Sequence, residues 1–445
     1  MSERLFGTDG VRGVAGVYPL DPPTVARLGA AVVKARAGQP PPRIIVGRDT
    51  RESGEWIGRE FARGAGAQGA EVTSAGVMPT PGVAYLARAF DFDLGVVLSA
   101  SHNPYTDNGI KIFSGRGEKY GEENERRVEA IMADSTWSVA GAADVHVREG
   151  EFVEAYLEYL MHLLPASGPL AGARIGVDMA NGATTATAVK LFERLGFTVV
   201  ASGNRANGRN INLECGSTHP ARLAADVVRE GCRMGVAFDG DGDRAIFVDA
   251  RGHIVDGDSV LLMLGLHYQR QGRLTGNTVV ATVMSNIGLE IALRERGIEM
   301  RRTPVGDKYV MEEMLAGGFV LGGEQSGHVI LAEHLPTGDG MATALAVLRV
   351  MAESGRELGD LASDLRTFPQ TLVNVRVRDK RPVADVPAIR EAISRVEAAL
   401  AGRGRVLVRY SGTEPLLRIM IEGEDQATVQ AWAEEIADAV RTTIA

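Results

Sequence analysis

The chain has 445 residues, too long for one hydrophobic core, and with 45% apolar and 24% charged residues it has the composition of a globular protein. Its formal charge is −9 with no run of Lys or Arg, which argues against nucleic acid and membrane partners but not against anionic small molecules, since a local Arg/Lys pocket overrides the global field. No signal-peptide-like run opens it, no stretch of ~18 apolar residues follows, and two cysteines, Cys215 and Cys232, suit neither a disulfide framework nor a zinc site; a cytoplasmic protein of three or four domains is expected.

From the N-terminus, Phe6-Gly-Thr-Asp-Gly-Val-Arg-Gly13 is glycine-dense and sets Arg12 on a tight turn near the first strand. Apolar periodicity predicts a helix over 23–36, a strand over 43–46 and a second helix over 55–67. The strand exit Gly47-Arg-Asp-Thr-Arg51 is polar; function is assigned to Arg12, and a structural role to Asp49 and Arg51. Gly64-x-Gly66-x-x-Gly69 has the glycines of a dinucleotide fingerprint, but it follows a helix and precedes a strand, so it ends the helix and carries no cofactor.

A buried strand over 94–98 runs into Ser99-Ala-Ser-His-Asn-Pro104. Ser101, exposed at a strand-to-loop transition, is a candidate nucleophile. The glycines of a hydrolase elbow are missing around it, and by itself Ser-His-Asn-Pro reads equally as a cap and turn. Ten residues on, Gly109-Ile-Lys111 places an ammonium where it can neutralise transferring oxygens. The small, polar, Gly/Ala-rich stretch 134–150 marks a boundary before a helix over 152–164.

A strand over 174–177, a helix over 185–195 and a strand over 234–238 follow, the last running into Asp239-Gly-Asp-Gly-Asp243. The alternating glycines let three carboxylates converge while the backbone turns. All three ionise at neutral pH, so clustering them costs repulsion unless a cation is present, and hard oxygen donors in small number suit Mg²⁺. A calcium loop needs Gly at its sixth position and Glu at its twelfth, where Arg244 and Ala250 stand. Gly240-x-Gly242-x-x-Ala245 fails as a dinucleotide site, because a strand follows it and carboxylates repel a pyrophosphate.

After a boundary near 249–256 and a strand over 278–282, Val320-Leu321 runs into Gly322-Gly-Glu-Gln-Ser-Gly-His328. This loop offers a carboxylate, an amide and a hydroxyl, an inventory suited to the hydroxyls or amine of a sugar, though a plain polar turn has the same composition. A helix over 341–353 precedes a last boundary at 367–370. The tail then reads strand, helix, strand, strand, helix over 371–377, 388–401, 406–409, 417–422 and 426–443. Within it, Arg409-Tyr-Ser-Gly-Thr-Glu-Pro-Leu-Leu-Arg418 brackets small hydroxyl residues with two arginines, the makings of a phosphate clamp. No Walker pattern occurs. The expected fold class is therefore α/β: three mixed or parallel-sheet domains plus a smaller C-terminal α+β domain. Three polar loops at strand ends predict one central cleft.

These elements, in this order, resemble the α-D-phosphohexomutase superfamily over essentially the whole chain. The marks are Gly7-Thr-Asp-Gly-Val-Arg-Gly13, Ser99-Ala-Ser-His-Asn-Pro104, Asp239-Gly-Asp-Gly-Asp-Arg244, Gly323-Glu-Gln-Ser-Gly-His328 and Ser411-Gly-Thr-Glu-Pro415. Asn210-Ile-Asn-x-x-Cys-Gly-Ser-Thr-His219, Thr303-Pro-Val-Gly-Asp-Lys-Tyr309 and Gln325 look most like the bacterial phosphoglucosamine mutase branch; the phosphomannomutase/phosphoglucomutase branch often has Met in the Gln325 slot. The resemblance implies domains at 1–150 with a phosphoserine loop, 151–250 with a metal loop, 251–367 with a sugar loop and 368–445 for phosphate. It makes Ser101 the phosphorylated serine, binding Mg²⁺ together with Asp239, Asp241 and Asp243. Arg12, His102 and Lys111 then line the catalytic region. Glu324, Ser326 and His328 bind the sugar, and Arg409, Ser411, Gly412, Thr413 and Arg418 hold the non-reacting phosphate. Tyr410 replaces the commoner Pro or Lys, and Cys215 becomes a family feature.

The implied reaction interconverts glucosamine 6- and 1-phosphates through a 1,6-bisphosphate, with glucosamine or glucose 1,6-bisphosphate as activator, and feeds UDP-N-acetylglucosamine and cell-wall synthesis. The partner is a small sugar phosphate; a homodimer is left open. Rival readings are a phosphoglucomutase or phosphomannomutase, a metal-dependent phosphatase, and a non-catalytic sugar-phosphate sensor. Intact Ser101, Lys111 and all three aspartates argue against the last.

Overall fold

Short β-branched runs become strands and the amphipathic runs between them become helices in the computed structural model, which describes residues 4–7, 9–36, 38–139, 148–164, 168–411 and 415–444. The chain groups into two units, Met1–Met284 with Ile298–Asp364, and Ser285–Gly297 with Leu365–Ala445.

Three sheets build the first unit. The six-stranded sheet has Leu94–Leu98, Arg43–Arg48, Glu71–Val77 and Arg148–Glu149 in parallel, and closes with the antiparallel pair Asp107–Ser114 and Val11–Val14. Leu94–Leu98 is buried at every position, as a continuous apolar run covered on both faces should be. Helix Pro22–Lys34 starts one residue earlier than periodicity indicates, because Asp21 caps it. The Asp21 carboxylate accepts from the Thr24 N–H at 3.1 Å, and prolines fill the first turn, where no amide donor is needed. This helix packs on Ser53–Gly66 through glycine: a Cβ on Gly64 would lie 1.7 Å from the Ala26 carbonyl oxygen. Gly66 ends that second helix and Gly69 turns the chain at φ 88, so the fingerprint-like glycines serve packing and chain reversal. Of the Gly/Ala-rich stretch 134–150, residues 140–147 lie outside the described residues.

The five-stranded sheet sets Thr198–Ser202, Arg174–Asp178 and Met234–Phe238 in parallel, then adds Ala245–Asp249 and Ile254–Val255 antiparallel. The four-stranded sheet has Glu299–Thr303, Thr278–Thr282 and Leu321–Gly323 in parallel, with Val329–Leu331 antiparallel. All three sheets are mixed, and each sends a strand end into one of the polar loops singled out above.

The second unit is smaller and fully antiparallel, in the order Gln370–Arg376, Leu416–Glu422, Arg405–Tyr410. Helices Pro387–Leu400 and Gln426–Thr443 share a core with it that includes Ile389, Ile419, Ile421 and Ile436. Helix Ile287–Glu295 also groups here, although in sequence it links two neighbouring strands of the four-stranded sheet. Glu422 contributes to this: wholly buried, it accepts from the Ile287 N–H at 3.0 Å and from Arg405 Nε at 2.6 Å, and Asn286 exchanges hydrogen bonds with the Phe368 backbone. Among the described residues no helix is long and apolar enough to cross a membrane.

Candidate active site

Strand Leu94–Leu98 ends at Ser99, and two residues later the chain bends sharply: Ser101 has φ 50, a left-handed conformation that costs an ordinary side chain energy. Its N–H donates to Ser99 Oγ at 2.9 Å, and its hydroxyl donates to Asp239 Oδ2 at 2.5 Å. His102 Nδ1 lies 3.3 Å from the same Ser101 oxygen. Ser101 is not exposed as the sequence led us to expect; it is 1% accessible, because the aspartate loop sits over it. Burial, then the charges of Arg244 and Arg12, push the His102 imidazole down to about 4, so it is neutral at neutral pH.

The aspartate loop joins the antiparallel strands Met234–Phe238 and Ala245–Asp249. Glycine is required within it, since a Cβ on Gly240 would meet the Ser101 carbonyl oxygen at 2.4 Å, and Gly242 turns at φ 75. The loop's backbone folds around Asp239, whose Oδ1 accepts the N–H groups of Gly242 at 3.1 Å and Arg244 at 3.2 Å. Asp239, Asp241 and Asp243 bring carboxylate oxygens within 4.8 Å of one another, all buried. Burial and the charges of Asp243 and Asp241 drive the Asp239 carboxyl well above its ordinary range. For Asp241 burial pulls the same way, but Lys111 overcomes it and holds this carboxyl low. Lys111 Nζ lies 2.7 Å from Asp241, 2.9 Å from Asp9 and 3.5 Å from Asp243, and these carboxylates keep it charged against the effect of burial. Among the described residues, Asp241 Oδ1 and Asp243 Oδ1 are buried and accept no hydrogen bond. Converging buried carboxylates, two of them with orphaned oxygens, fit a hard divalent cation.

A hollow of about 440 Å³ opens beside this cluster, lined by Arg12, His102, Asp243, Arg244, Asp307, Glu324 and His328 among others. Glu324 Oε1 accepts from the Gly306 N–H at 3.2 Å, and Ser326 Oγ lies 3.5 Å from Glu324 Oε2. Gln325 turns to Asp256, its Nε2 3.2 Å from Oδ2. His328 is buried, 3.5 Å from Asp307 and 3.9 Å from Asp243. The serine, aspartate and Glu324–His328 loops are thus brought together within the first unit.

Sequence reasoning did not single out Asp9, Lys119, Asp307 or Arg244 as site residues. Asp9 pairs with Arg12, Lys111 and Lys119, and Lys119 bridges Asp9 to Asp307. Asp9, Asp307 and Arg244 lie inside quoted motifs, so the signal was present; Lys119 lies in none.

In the second unit Arg409 stands directly across the antiparallel pair from Arg418. Burial and the charge of Arg418 lower the Arg409 guanidinium from its ordinary value. Ser411 N–H donates to the Leu416 carbonyl at 2.8 Å, Arg418 reaches Ser411 Oγ at 3.5 Å, and Lys380 Nζ donates to the Ser411 carbonyl at 2.8 Å. Three cations grouped near Ser411 suit an anion, and Lys380 was not expected. Gly412 and Thr413 lie outside the described residues.

Family models for phosphoglucomutase/phosphomannomutase match the chain in four consecutive pieces: α/β/α domain I at residues 3–138, domain II at 154–252, domain III at 256–368 and the C-terminal domain at 372–439. A phosphoglucosamine mutase from Solibacter usitatus (strain Ellin6076) is 50% identical over 443 residues, 99% of each chain. Among solved structures, a phosphoglucomutase/phosphomannomutase family protein from Burkholderia thailandensis matches with a TM-score of 0.81 at 24% identity, over 99% of this chain and 98% of that one. The N-acetylphosphoglucosamine mutase of Aspergillus fumigatus, solved in complex with GlcNAc-6P and magnesium, matches at 0.70 and 16% identity, over 98% and 95%. Four domain models in order and a full-length relative at half identity establish that the chain belongs to the phosphoglucomutase/phosphomannomutase family of α-D-phosphohexomutases.

Proposed function

We propose that the chain interconverts glucosamine 6-phosphate and glucosamine 1-phosphate through a phosphoserine at Ser101 and a 1,6-bisphosphate intermediate. The main support is the 2.5 Å hydrogen bond from Ser101 Oγ to Asp239 Oδ2, which sets a nucleophile against three buried carboxylates suited to a divalent cation. We assign that cation as Mg²⁺, held by Asp239, Asp241, Asp243 and an oxygen of phosphorylated Ser101. Bound there, it supplies charge neutralisation at the phosphoryl oxygens. The Aspergillus enzyme's complex with GlcNAc-6P and magnesium, and the name of the Solibacter relative, support both choices.

Phosphoryl transfer asks a protein chiefly for positioning and charge neutralisation. In the first half-reaction the bond from Ser101 Oγ to phosphorus breaks while one forms to sugar O1, and the O1 proton ends on Ser101 Oγ, giving the bisphosphate. In the second, the bond from phosphorus to sugar O6 breaks while one forms to Ser101 Oγ, and the serine proton ends on O6. The proton then leaving Ser101 Oγ has two acceptors in reach, Asp239 Oδ2 at 2.5 Å and neutral His102 Nδ1 at 3.3 Å. Arg12 and Lys111 add positive charge beside the transferring group. Glu324, Ser326 and His328 contact the sugar, and Arg409, Ser411, Gly412, Thr413 and Arg418 grip the phosphate that is not reacting. A glucosamine or glucose 1,6-bisphosphate restores phosphate to a dephosphorylated Ser101. We place the reaction in the cytoplasm, feeding UDP-N-acetylglucosamine and cell-wall synthesis.

The test is ³¹P NMR of the purified chain with Mg²⁺ and a trace of hexose 1,6-bisphosphate, on glucosamine, glucose and mannose 6-phosphates in parallel. Fastest conversion of the amino sugar supports the assignment. Faster conversion of glucose or mannose phosphate reassigns the substrate, and release of inorganic phosphate alone overturns the mutase reading.

A further inference from the structure

Two motifs remain outside this chemistry: the strand exit Gly47-Arg-Asp-Thr-Arg51, expected to be structural, and Asn210-Ile-Asn-x-x-Cys-Gly-Ser-Thr-His219. They meet behind Ser101. The Arg51 side chain is wholly buried and ion-paired with an equally buried Asp49. Asp49 Oδ1 accepts the Arg51 N–H at 2.9 Å, and Oδ2 accepts the Ser99 hydroxyl at 2.5 Å. Ser99 Oγ in turn accepts the Ser101 N–H at 2.9 Å. On the other side of the nucleophile, the Ser101 carbonyl accepts from Arg51 at 3.2 Å and from Asn212 Nδ2 at 2.9 Å. The same two side chains hold the Asn103 carbonyl, at 2.5 and 3.1 Å. Asn212 is itself nearly buried, 8% accessible.

This pattern is what a left-handed serine needs. At φ 50 the residue relaxes to an ordinary conformation unless the peptides on both sides are pinned. Rotating either peptide carries Oγ away from Asp239. A buried ion pair is a poor device for stability alone, because desolvation offsets its attraction. A guanidinium that reaches two carbonyls of one turn fixes direction instead.

We infer that Arg51 and Asn212 are positioning residues for phosphoryl transfer: by clamping the Ser101 and Asn103 carbonyls they hold Ser101 in the left-handed conformation that aims its Oγ into the aspartate loop. The inference rests on Ser101 as the phosphoryl carrier.

The experiment uses full-length Asn212→Ala, Asn212→Asp and Arg51→Lys. Each is phosphorylated with glucose 1,6-bisphosphate, and occupancy of Ser101 is counted by mass spectrometry. Rapid-quench single turnover with glucosamine 6-phosphate then gives the transfer rate per phosphorylated site. Each variant transfers roughly 10²-fold more slowly than the unaltered chain, the consequence of misplacing a reacting atom by about 1 Å, with KM little changed. A purely structural role lowers the yield of folded, phosphorylated protein but leaves the rate per site alone. Asn212→Ala removes only a loop amide and serves if Arg51→Lys fails to fold. Wild-type transfer from phosphorylated Ser101 in Asn212→Ala overturns the inference alone. Failure of the unaltered chain to transfer from Ser101 overturns the reading of Ser101 and the inference with it.

Discussion

Asp239 and Asp241 belong to one loop and one cluster, yet their amides should have opposite effects on the metal-free protein. Carboxylate oxygens within 4.8 Å of one another repel by about 3.5 kcal/mol per pair or more at an effective dielectric of about 20, before nearby cations are counted. Among the described residues Asp239 makes no ion pair; its oxygens accept two backbone N–H groups and the Ser101 hydroxyl. Asp239→Asn keeps an oxygen for those backbone donors and removes the repulsion. Allowing for Arg244 close by, it should stabilise the metal-free chain by about 1–3 kcal/mol. Asp241 instead holds buried Lys111 at 2.7 Å. Removing one partner of a buried pair costs about 3–5 kcal/mol, and Asp241→Asn falls at the lower end because Asp9 and Asp243 stay close to the ammonium. Both variants should lose at least about 10²-fold in turnover, since each removes a charged oxygen from the cluster. Thermal melting in EDTA and in Mg²⁺, beside a turnover assay, reads all of this. Melting in EDTA should rise for Asp239→Asn and fall for Asp241→Asn, and Mg²⁺ should stabilise both less than the unaltered chain. Shifts of the same sign in EDTA refute the electrostatic reasoning.

Asp339 caps helix Gly340–Ser354, accepting from the Ala342 N–H and the Tyr156 hydroxyl, and burial raises its carboxyl to about 6. A carboxyl raised on folding stabilises at low pH and loses that stability as pH climbs from about 4 to about 6. Asp339→Asn should therefore gain on the unaltered chain across that window, by up to about 3 kcal/mol, and then level off; a gain independent of pH, read by melting, would contradict this. Arg418→Ala, which removes half of the Arg409–Arg418 pair, should lower kcat/KM roughly 10- to 10²-fold with melting little changed. An unaltered kcat/KM would remove Arg418 from the phosphate clamp.

Local pattern made the strands that run into the polar loops, the aspartate loop and the strands and helices of the α+β tail legible, because each is a run of few residues whose composition has one physical use. Helix starts were legible only to within about three residues, since caps such as Asp21 and the short turn before Ala188 rather than periodicity decide them. The burial and left-handed turn of Ser101 were not legible: they arise from Asp239, Arg51 and Asn212, remote in sequence. Asp49 and Arg51 looked structural for the same reason, as nothing in a strand exit says which loop it will support. Asp9 and Arg244 stood inside recognised motifs, but their charges acquire meaning only once Lys111 and the carboxylates converge. Helix Ile287–Glu295 reads as an ordinary crossover, and contacts such as those of buried Glu422 and of Asn286 with Phe368 show that it groups with the tail.

The central claim is that Ser101 carries the phosphoryl group to the sugar. Enzyme labelled with ³²P from glucose 1,6-bisphosphate, mapped to Ser101 by peptide mass spectrometry and mixed with unlabelled glucosamine 6-phosphate, should pass its label to the sugar within a single turnover, one per phosphorylated site. Label that stays on the protein, or that leaves as inorganic phosphate, contradicts the account.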